Sequence, residues 1–168
     1  TAMTLATATP AGRTSVRTVL LKQLDERGFV FFTNTLSRKG RELKSNPHAA
    51  LCFYWQPLKE QVHVEGTVEP VTPGEADVYW ETRPRESQVG GWASRQSEPL
   101  ESRAALLARA SEIRDEYGGQ EVPRPPHWSG YRLIPERIEF WTAGEFRLHH
   151  RDLYERTDDG WTVTLLNP

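Results

Sequence analysis

The pattern of apolar and polar positions along this chain predicts mostly strands, with the two-residue period clearest over 61–71. Residues 3–9 (MTLATAT) are short and β-prone and run into a Pro10-Ala11-Gly12 turn. Residues 14–24 carry Val16, Val19, Leu20 and Leu21 and predict a second strand. Asp25 to Gly28 form another turn, and 29–33 (FVFFT) a third strand. Links this short join hairpins, so the first sheet is expected to be antiparallel. Residues 49–55 (AALCFYW) form an apolar strand. Over 61–71, Val62, Val64, Gly66 and Val68 alternate with Gln61, His63, Glu65, Thr67 and Glu69. The tail predicts strands at 130–134, 137–142, 146–154 and 161–166.

Helical signals are fewer. Residues 37–45 (SRKGRELKS) predict one short helix, with Ser37 as N-cap and Asn46-Pro47 as its stop. Thr72-Pro73-Gly74-Glu75 is a capping box with proline at the first helical position, opening a helix that ends near Thr82, before Pro84. A second, long helix follows Pro99, with Leu100, Ala104, Leu107, Ala110 or Ser111, Arg114 and Tyr117 on one stripe and Gly118-Gly119 as its end. Residues 85–97 show no clear period, and Gly90-Gly91 predicts a loop there. The sum is a mainly antiparallel β fold with two or three helices, a small barrel closed by helices.

Composition narrows the function classes. At 168 residues the length suits one domain. Mean hydropathy of −0.65 and the lack of a ~20-residue apolar run argue against a membrane-spanning chain. A net charge of −2 gives no global basic field for nucleic acid. Cys52 is the only cysteine, which excludes an internal disulfide framework and a cysteine-rich zinc site and fits a reducing cytoplasm. No signal peptide is visible. The chain also lacks GxGxxG after a strand, GxxxxGK[ST], HExxH and GxSxG. His48, His63, His127, His149 and His150 include no helical i, i+4 pair, so no metal is expected.

The charge is uneven. Between Arg13 and Lys44 eight cations face three acids. Arg38 and Lys39 fall in the first turn of a helix, where cations oppose the macrodipole; the turn is either a solvated basic surface or an anion site. Arg147, His149 and Arg151 share one face of the expected 146–154 strand, with His150 on the other. They are either the polar outer face of an edge strand or the wall of an anionic or electron-rich ligand. Arg17 and Lys22 stand five apart, on opposite sides of an ideal strand.

Taken together and in order, these stretches resemble the pyridoxine (pyridoxamine) 5′-phosphate oxidase family. The similar segments are RTVLLK at 17–22, GFVFFTNTLSRKGREL at 28–43, NPHAAL at 46–51, QVHVEG at 61–66, RPRESQVGGWASRQS at 83–97, VPRPPHWSGYRLIPERIEFW at 122–141 and RLHHR at 147–151. The resemblance implies an FMN-dependent homodimer with a split β-barrel fold, here one FMN-binding domain over residues 1–168, without the N-terminal extension such proteins usually carry. It places FMN on Arg17, Lys22, Phe32, Thr33, Arg38, Lys39, Gln61, Gln96, Ser97, Trp141 and Arg151. It places the substrate phosphate on Tyr79, Arg83 and Ser87, with Lys22 touching the substrate as well, and Arg147 and His149 as the catalytic pair beside the pyridine ring. Two phosphates, one on each ligand, give Arg17 and Lys22 separate tasks.

The implied activity is oxidation of pyridoxine or pyridoxamine 5′-phosphate to pyridoxal 5′-phosphate, with dioxygen as acceptor, in a cytoplasmic enzyme of vitamin B6 metabolism without nucleic-acid or membrane partners. The sequence departs from the family's usual residues at Glu60, His63, Thr142, His150 and Leu165. The alternatives are a split-barrel flavin oxidase of another ring substrate, such as a phenazine precursor, and a non-catalytic flavin or pyridoxal-phosphate carrier. The intact Tyr79, Arg83 and Ser87 argue for a phosphorylated substrate.

Overall fold

The computed structural model describes all of residues 1–168. Nine strands form one sheet: β1 (Ala2–Ala8), β2 (Thr14–Leu20), β3 (Gln23–Asp25), β4 (Gly28–Asn34), β5 (His48–Trp55), β6 (Glu60–Pro70), β7 (Trp128–Thr142), β8 (His150–Thr157) and β9 (Gly160–Leu165). Four helices complete the fold: α1 (Arg38–Ser45), α2 (Pro73–Glu81), α3 (Arg85–Ala93) and α4 (Arg103–Tyr117). The sheet order is β2-β1-β5-β6-β7-β4-β3, with β8 on β7 and β9 on β8. Hairpins β1/β2, β3/β4, β5/β6 and β8/β9 are antiparallel, as short links require. The expected antiparallel sheet of a split barrel is therefore present. No helix is long and apolar enough to cross a membrane.

The chain divides into two compact units. The first comprises Thr1–Phe31, Glu42–Glu69 and Tyr131–Pro168. Its core holds Met3, Leu5, Phe31, Leu51, Val64 and Leu133, all fully buried. On β6 the buried Val64, Gly66 and Val68 follow the alternation read from the sequence. Gly66 is required there: a Cβ would lie 2.0 Å from the Ile134 carbonyl oxygen, so a side chain would push β6 and β7 apart. The guanidinium of Arg132, 1% exposed, donates to Asp25 at 2.5 Å. Asp25 also accepts from the amides of Arg27 and Gly28, so one half-buried ion pair pins the β3–β4 turn to β7.

The second unit comprises Phe32–Arg41 and Pro70–Gly130. Its core is built on Trp80, Val89, Val122 and Trp128, with Phe32, Tyr79, Trp92, Ala110, Ile113 and Tyr117 packed against them. The Trp80 indole donates to the Val122 carbonyl at 2.8 Å and so ties α2 to the proline-rich segment.

Five expectations are corrected. Residues 85–97 are helical over Arg85–Ala93: Val89 and Ala93 are buried one turn apart, and Gly91 leaves room for Trp80, whose ring a Cβ would meet at 2.8 Å. The stretch 14–24 is two strands, broken at Leu21 and Lys22, so the facing argument for Arg17 and Lys22 does not apply. The strands expected at 130–134 and 137–142 are one, β7, which runs through Pro135; its ladder to β8 begins at Arg137. The strand expected over 146–154 starts only at His150. Before it, Glu145–Arg147 form a 3₁₀ turn in which Phe146 and Arg147 have φ of 53° and 69°. Arg147, His149 and Arg151 therefore do not share a strand face. The long helix also begins later than its proline, at Arg103, capped by Ser102; Leu100 and Leu107 are exposed, and Ile113 joins Ala110 and Tyr117 on the half-buried stripe.

Candidate functional site

In the second unit, the start of α1 gathers five residues singled out in the sequence. Ser37 caps the helix, its Oγ accepting from the Gly40 amide at 3.3 Å. A second cap comes from far along the chain: Ser97 Oγ accepts from the Arg38 amide at 3.1 Å, and Ser97 holds a φ of 73° to do so. The Lys39 ammonium donates to Thr33 Oγ1 at 3.1 Å and to Gln96 Oε1 at 2.9 Å. Thr33, Arg38, Lys39, Gln96 and Ser97 are thus one cluster. Two cations at a helix start lie against the macrodipole and favour an anion beside them.

The same unit stacks three rings in near-parallel planes. Phe32 lies 4.2 Å from Tyr79 and 5.4 Å from Trp128. The Arg83 guanidinium covers the Trp128 and Trp80 rings at 4.6 and 4.9 Å, a cation–π arrangement. Burial pulls the Arg83 pKa down, and Tyr79 opposes that shift. One Arg83 nitrogen, Nη2, donates to the Ser87 carbonyl at 3.1 Å, while Nη1 is buried without a hydrogen-bond partner. Tyr79, Arg83 and Ser87 are therefore together, on α2, the turn after it and α3.

In the first unit, Arg17 on β2 is held from four sides by its own chain. It donates to the Leu5 carbonyl at 3.2 Å, to Thr7 Oγ1 at 2.6 Å, to Ser15 Oγ and to Glu42 Oε2 at 3.3 Å. Glu42 is buried and also accepts from Thr7 and Ser15, at 2.5 and 2.6 Å. Lys22 is exposed beyond the end of β2, its amide bonded to the Val30 carbonyl. Gln61 is half-buried on β6, opposite Tyr54.

Trp141 and Arg151 are direct partners across β7 and β8. The Arg151 guanidinium makes a two-pronged contact with Glu139, at 2.7 and 3.0 Å, and reaches the Asn167 carbonyl. That hydrogen bond holds the Glu139 carboxyl below the usual carboxylate range despite its burial, and holds Arg151 charged. His149 packs on Trp141, ring centres 4.6 Å apart, and its Nδ1 accepts from the Gly144 amide at 3.1 Å. Arg147, one turn earlier, is exposed.

Sequence reasoning missed Glu42, Glu139, Trp128 and Gly144. Glu42 is the one acid of the basic 13–44 stretch that is buried, a fact no charge count shows.

Comparison with known proteins identifies the family. The family model for pyridoxamine 5′-phosphate oxidase matches residues 1–117, and that for the pyridoxine 5′-phosphate oxidase C-terminal dimerisation region matches 128–168. A pyridoxine/pyridoxamine 5′-phosphate oxidase of Myxococcus xanthus is 60% identical over 167 residues, covering 99% of this chain and 81% of the relative. One from Alkalilimnicola ehrlichii is 61% identical, covering 100% and 86%. Among solved structures, PhzG from Burkholderia lata, in complex with tetrahydrophenazine-1-carboxylic acid, superposes with a TM-score of 0.94 at 41% identity, covering 99% of this chain and 82% of that one. A pyridoxamine 5′-phosphate oxidase-related, FMN-binding protein of Nostoc punctiforme superposes at 0.79 with 20% identity and shows the shared fold. The chain therefore belongs to the pyridoxamine 5′-phosphate oxidase family, as an oxidoreductase of the FMN-dependent split-barrel type.

Proposed function

We propose that the protein, as a homodimer of one FMN-binding domain per chain, oxidises pyridoxine 5′-phosphate and pyridoxamine 5′-phosphate to pyridoxal 5′-phosphate with dioxygen as acceptor. FMN, when bound, accepts the hydride and passes its electrons to dioxygen. The chain's residues fit a phosphorylated cofactor: Arg38 and Lys39 stand at a helix start, with Lys39 oriented by Thr33 and Gln96 and the first amide held by Ser97. In this reading these residues hold FMN together with Arg17, Lys22, Phe32, Gln61, Trp141 and Arg151. Arg17 and Arg151 come to it already oriented by Glu42 and Glu139.

The observation that carries the substrate is Arg83. A desolvated guanidinium over two indoles, with one buried nitrogen unsatisfied, is costly unless an anion completes it. Tyr79, Ser87 and Lys22 add hydrogen-bond donors for a phosphate monoester, and Arg147 and His149 hold the pyridine ring. The test is anaerobic mixing of the FMN-loaded protein with pyridoxamine 5′-phosphate. Loss of the flavin absorption band is expected, whereas pyridoxamine without its phosphate leaves the band unchanged at the same concentration. Equal bleaching by both would remove the phosphate clamp from the reading.

The superposition on PhzG favours a second reading, oxidation of a phenazine precursor. Bleaching by a reduced phenazine carboxylic acid, with pyridoxamine 5′-phosphate inert, would put it in first place.

A further inference from the structure

The hydrogen bond between Gly144 and His149 fixes more than a ring position. A backbone amide can only donate. With the Gly144 nitrogen 3.1 Å from His149 Nδ1, Nδ1 is the acceptor and bears no proton. In the neutral imidazole the proton then sits on Nε2. The opposite tautomer would set two donors head-on across this contact.

The loop is built to make the contact. The chain turns back on itself between Gly144 and His149, through consecutive left-handed residues at Phe146 and Arg147. Side chains rarely occupy that region, and two in a row mark a conformation the surroundings enforce. The Leu148 amide closes on the Glu145 carbonyl and the His149 amide on the Arg147 carbonyl, both at 3.0 Å. Gly144 tolerates no side chain, since a Cβ would lie 1.7 Å from the Leu148 carbonyl oxygen. Trp141 packs on the imidazole at 4.6 Å, with the planes tilted 46°. The ring is thus held at Nδ1 by Gly144 and on its face by Trp141, and Nε2 is the polar atom left for a ligand.

We infer that neutral His149 carries its proton on Nε2 and meets the ligand as a hydrogen-bond donor, to an electron-rich oxygen or nitrogen of the substrate ring, and not as a general base. A base at this position needs a lone pair on Nε2, which the Gly144 contact denies to the neutral ring. The inference rests on the proposed substrate reading for the identity of the ligand, but the tautomer itself does not depend on it.

Two measurements test it. The first is a long-range proton–nitrogen correlation spectrum of histidine-labelled, flavin-free protein at about pH 8, above the ordinary imidazole value of ~6.5, with His149 assigned by its loss in His149→Gln. The expected pattern is protonated Nε2 and bare Nδ1; the reverse pattern overturns the inference whatever the protein oxidises. The second compares His149→Gln, His149→Asn and His149→Ala with pyridoxine 5′-phosphate. Glutamine carries an amide N–H near the place of Nε2, and asparagine reaches only the place of Nδ1. Glutamine is expected to keep kcat/KM within about tenfold of wild type, while asparagine and alanine lose about 10²-fold, the usual scale for one such donor. A glutamine variant as slow as alanine overturns the donor role. A protein inactive on this substrate, yet with the expected tautomer, overturns the substrate reading alone.

Discussion

Arg17 has five N–H donors, and acceptors of its own chain engage four of its contacts: Leu5, Thr7, Ser15 and Glu42. Its first task is to neutralise Glu42, whose side chain is 6% exposed. Removing one partner of a buried pair strands the other charge, at a typical cost of about 3 kcal/mol. Arg17→Ala should therefore destabilise the flavin-free protein by about that amount, in addition to any loss of FMN. Urea unfolding without FMN checks this; an unchanged midpoint would show that Arg17 serves the cofactor alone. Arg151 has the matching arrangement with Glu139. The hydrogen bond from Arg151 lowers the Glu139 pKa in the folded state. The unfolded carboxyl, near ~4.3, binds a proton first as pH falls. The stabilisation is thus complete above that value and is lost as pH drops through the lower folded value. Melting temperature below about pH 4.5 should fall more steeply in wild type than in Glu139→Gln, and parallel curves would remove the pair from the acid response.

At the scale of elements, α2 shows how far local sequence can reach. Thr72 Oγ1 accepts from the Glu75 amide at 3.2 Å, the Glu75 carboxylate accepts from the Thr72 amide at 2.8 Å, and Pro73 sits at the first turn. Thr72→Ala should lower stability by about 1 kcal/mol, read as a shifted urea midpoint at constant slope; a shift under a tenth of that would mean the cap is redundant with tertiary packing. This element was legible because every signal in it lies within four residues. Helix α3 was not: Gly90-Gly91 reads as a break, and the helix persists because Gly91 makes room for Trp80 from another element. The 145–149 turn failed the other way. Phe146 and Leu148 imitate strand alternation, yet both are exposed, at 89% and 68%, and the backbone is set by Gly144 closing on His149. The candidate site residues show the same divide. Its cations were visible as residue types at a helix start and in short motifs. The carboxylates that orient two of them were not, because Glu42 lies 25 residues from Arg17 and Glu139 lies 12 from Arg151.

For the whole molecule the informative feature is a sheet face rich in exposed apolar side chains. On β9, Trp161, Val163 and Leu165 alternate with threonines and are 40%, 55% and 80% exposed. Their cross-strand register puts Val163 opposite Tyr154 and Leu165 opposite Asp152, while Asp152 in turn faces Phe140 on β7. Phe140 meets Tyr154 edge-on at 5.5 Å and is itself 46% exposed. Phe140, Tyr154, Val163 and Leu165 thus share one sheet face. Asp152 lies between Leu165 and Phe140 on that face; exposed apolar residues gathered beside polar ones mark an association site. It falls within residues 128–168, which the dimerisation-region model matches. Self-association by a closed two-fold contact would bury the patch against its own copy, since both partners then present the same residues. Val163→Asp places a charge at the middle of the patch, on an exposed position that the isolated chain tolerates. Sedimentation equilibrium should give about twice the 19.2 kDa chain mass for wild type and the single-chain mass for Val163→Asp at micromolar concentration. The far-ultraviolet circular dichroism of the variant should be unchanged. A folded variant that stays dimeric would move the interface elsewhere on the molecule, and a wild type that sediments as a monomer while retaining FMN would refute the dimer altogether.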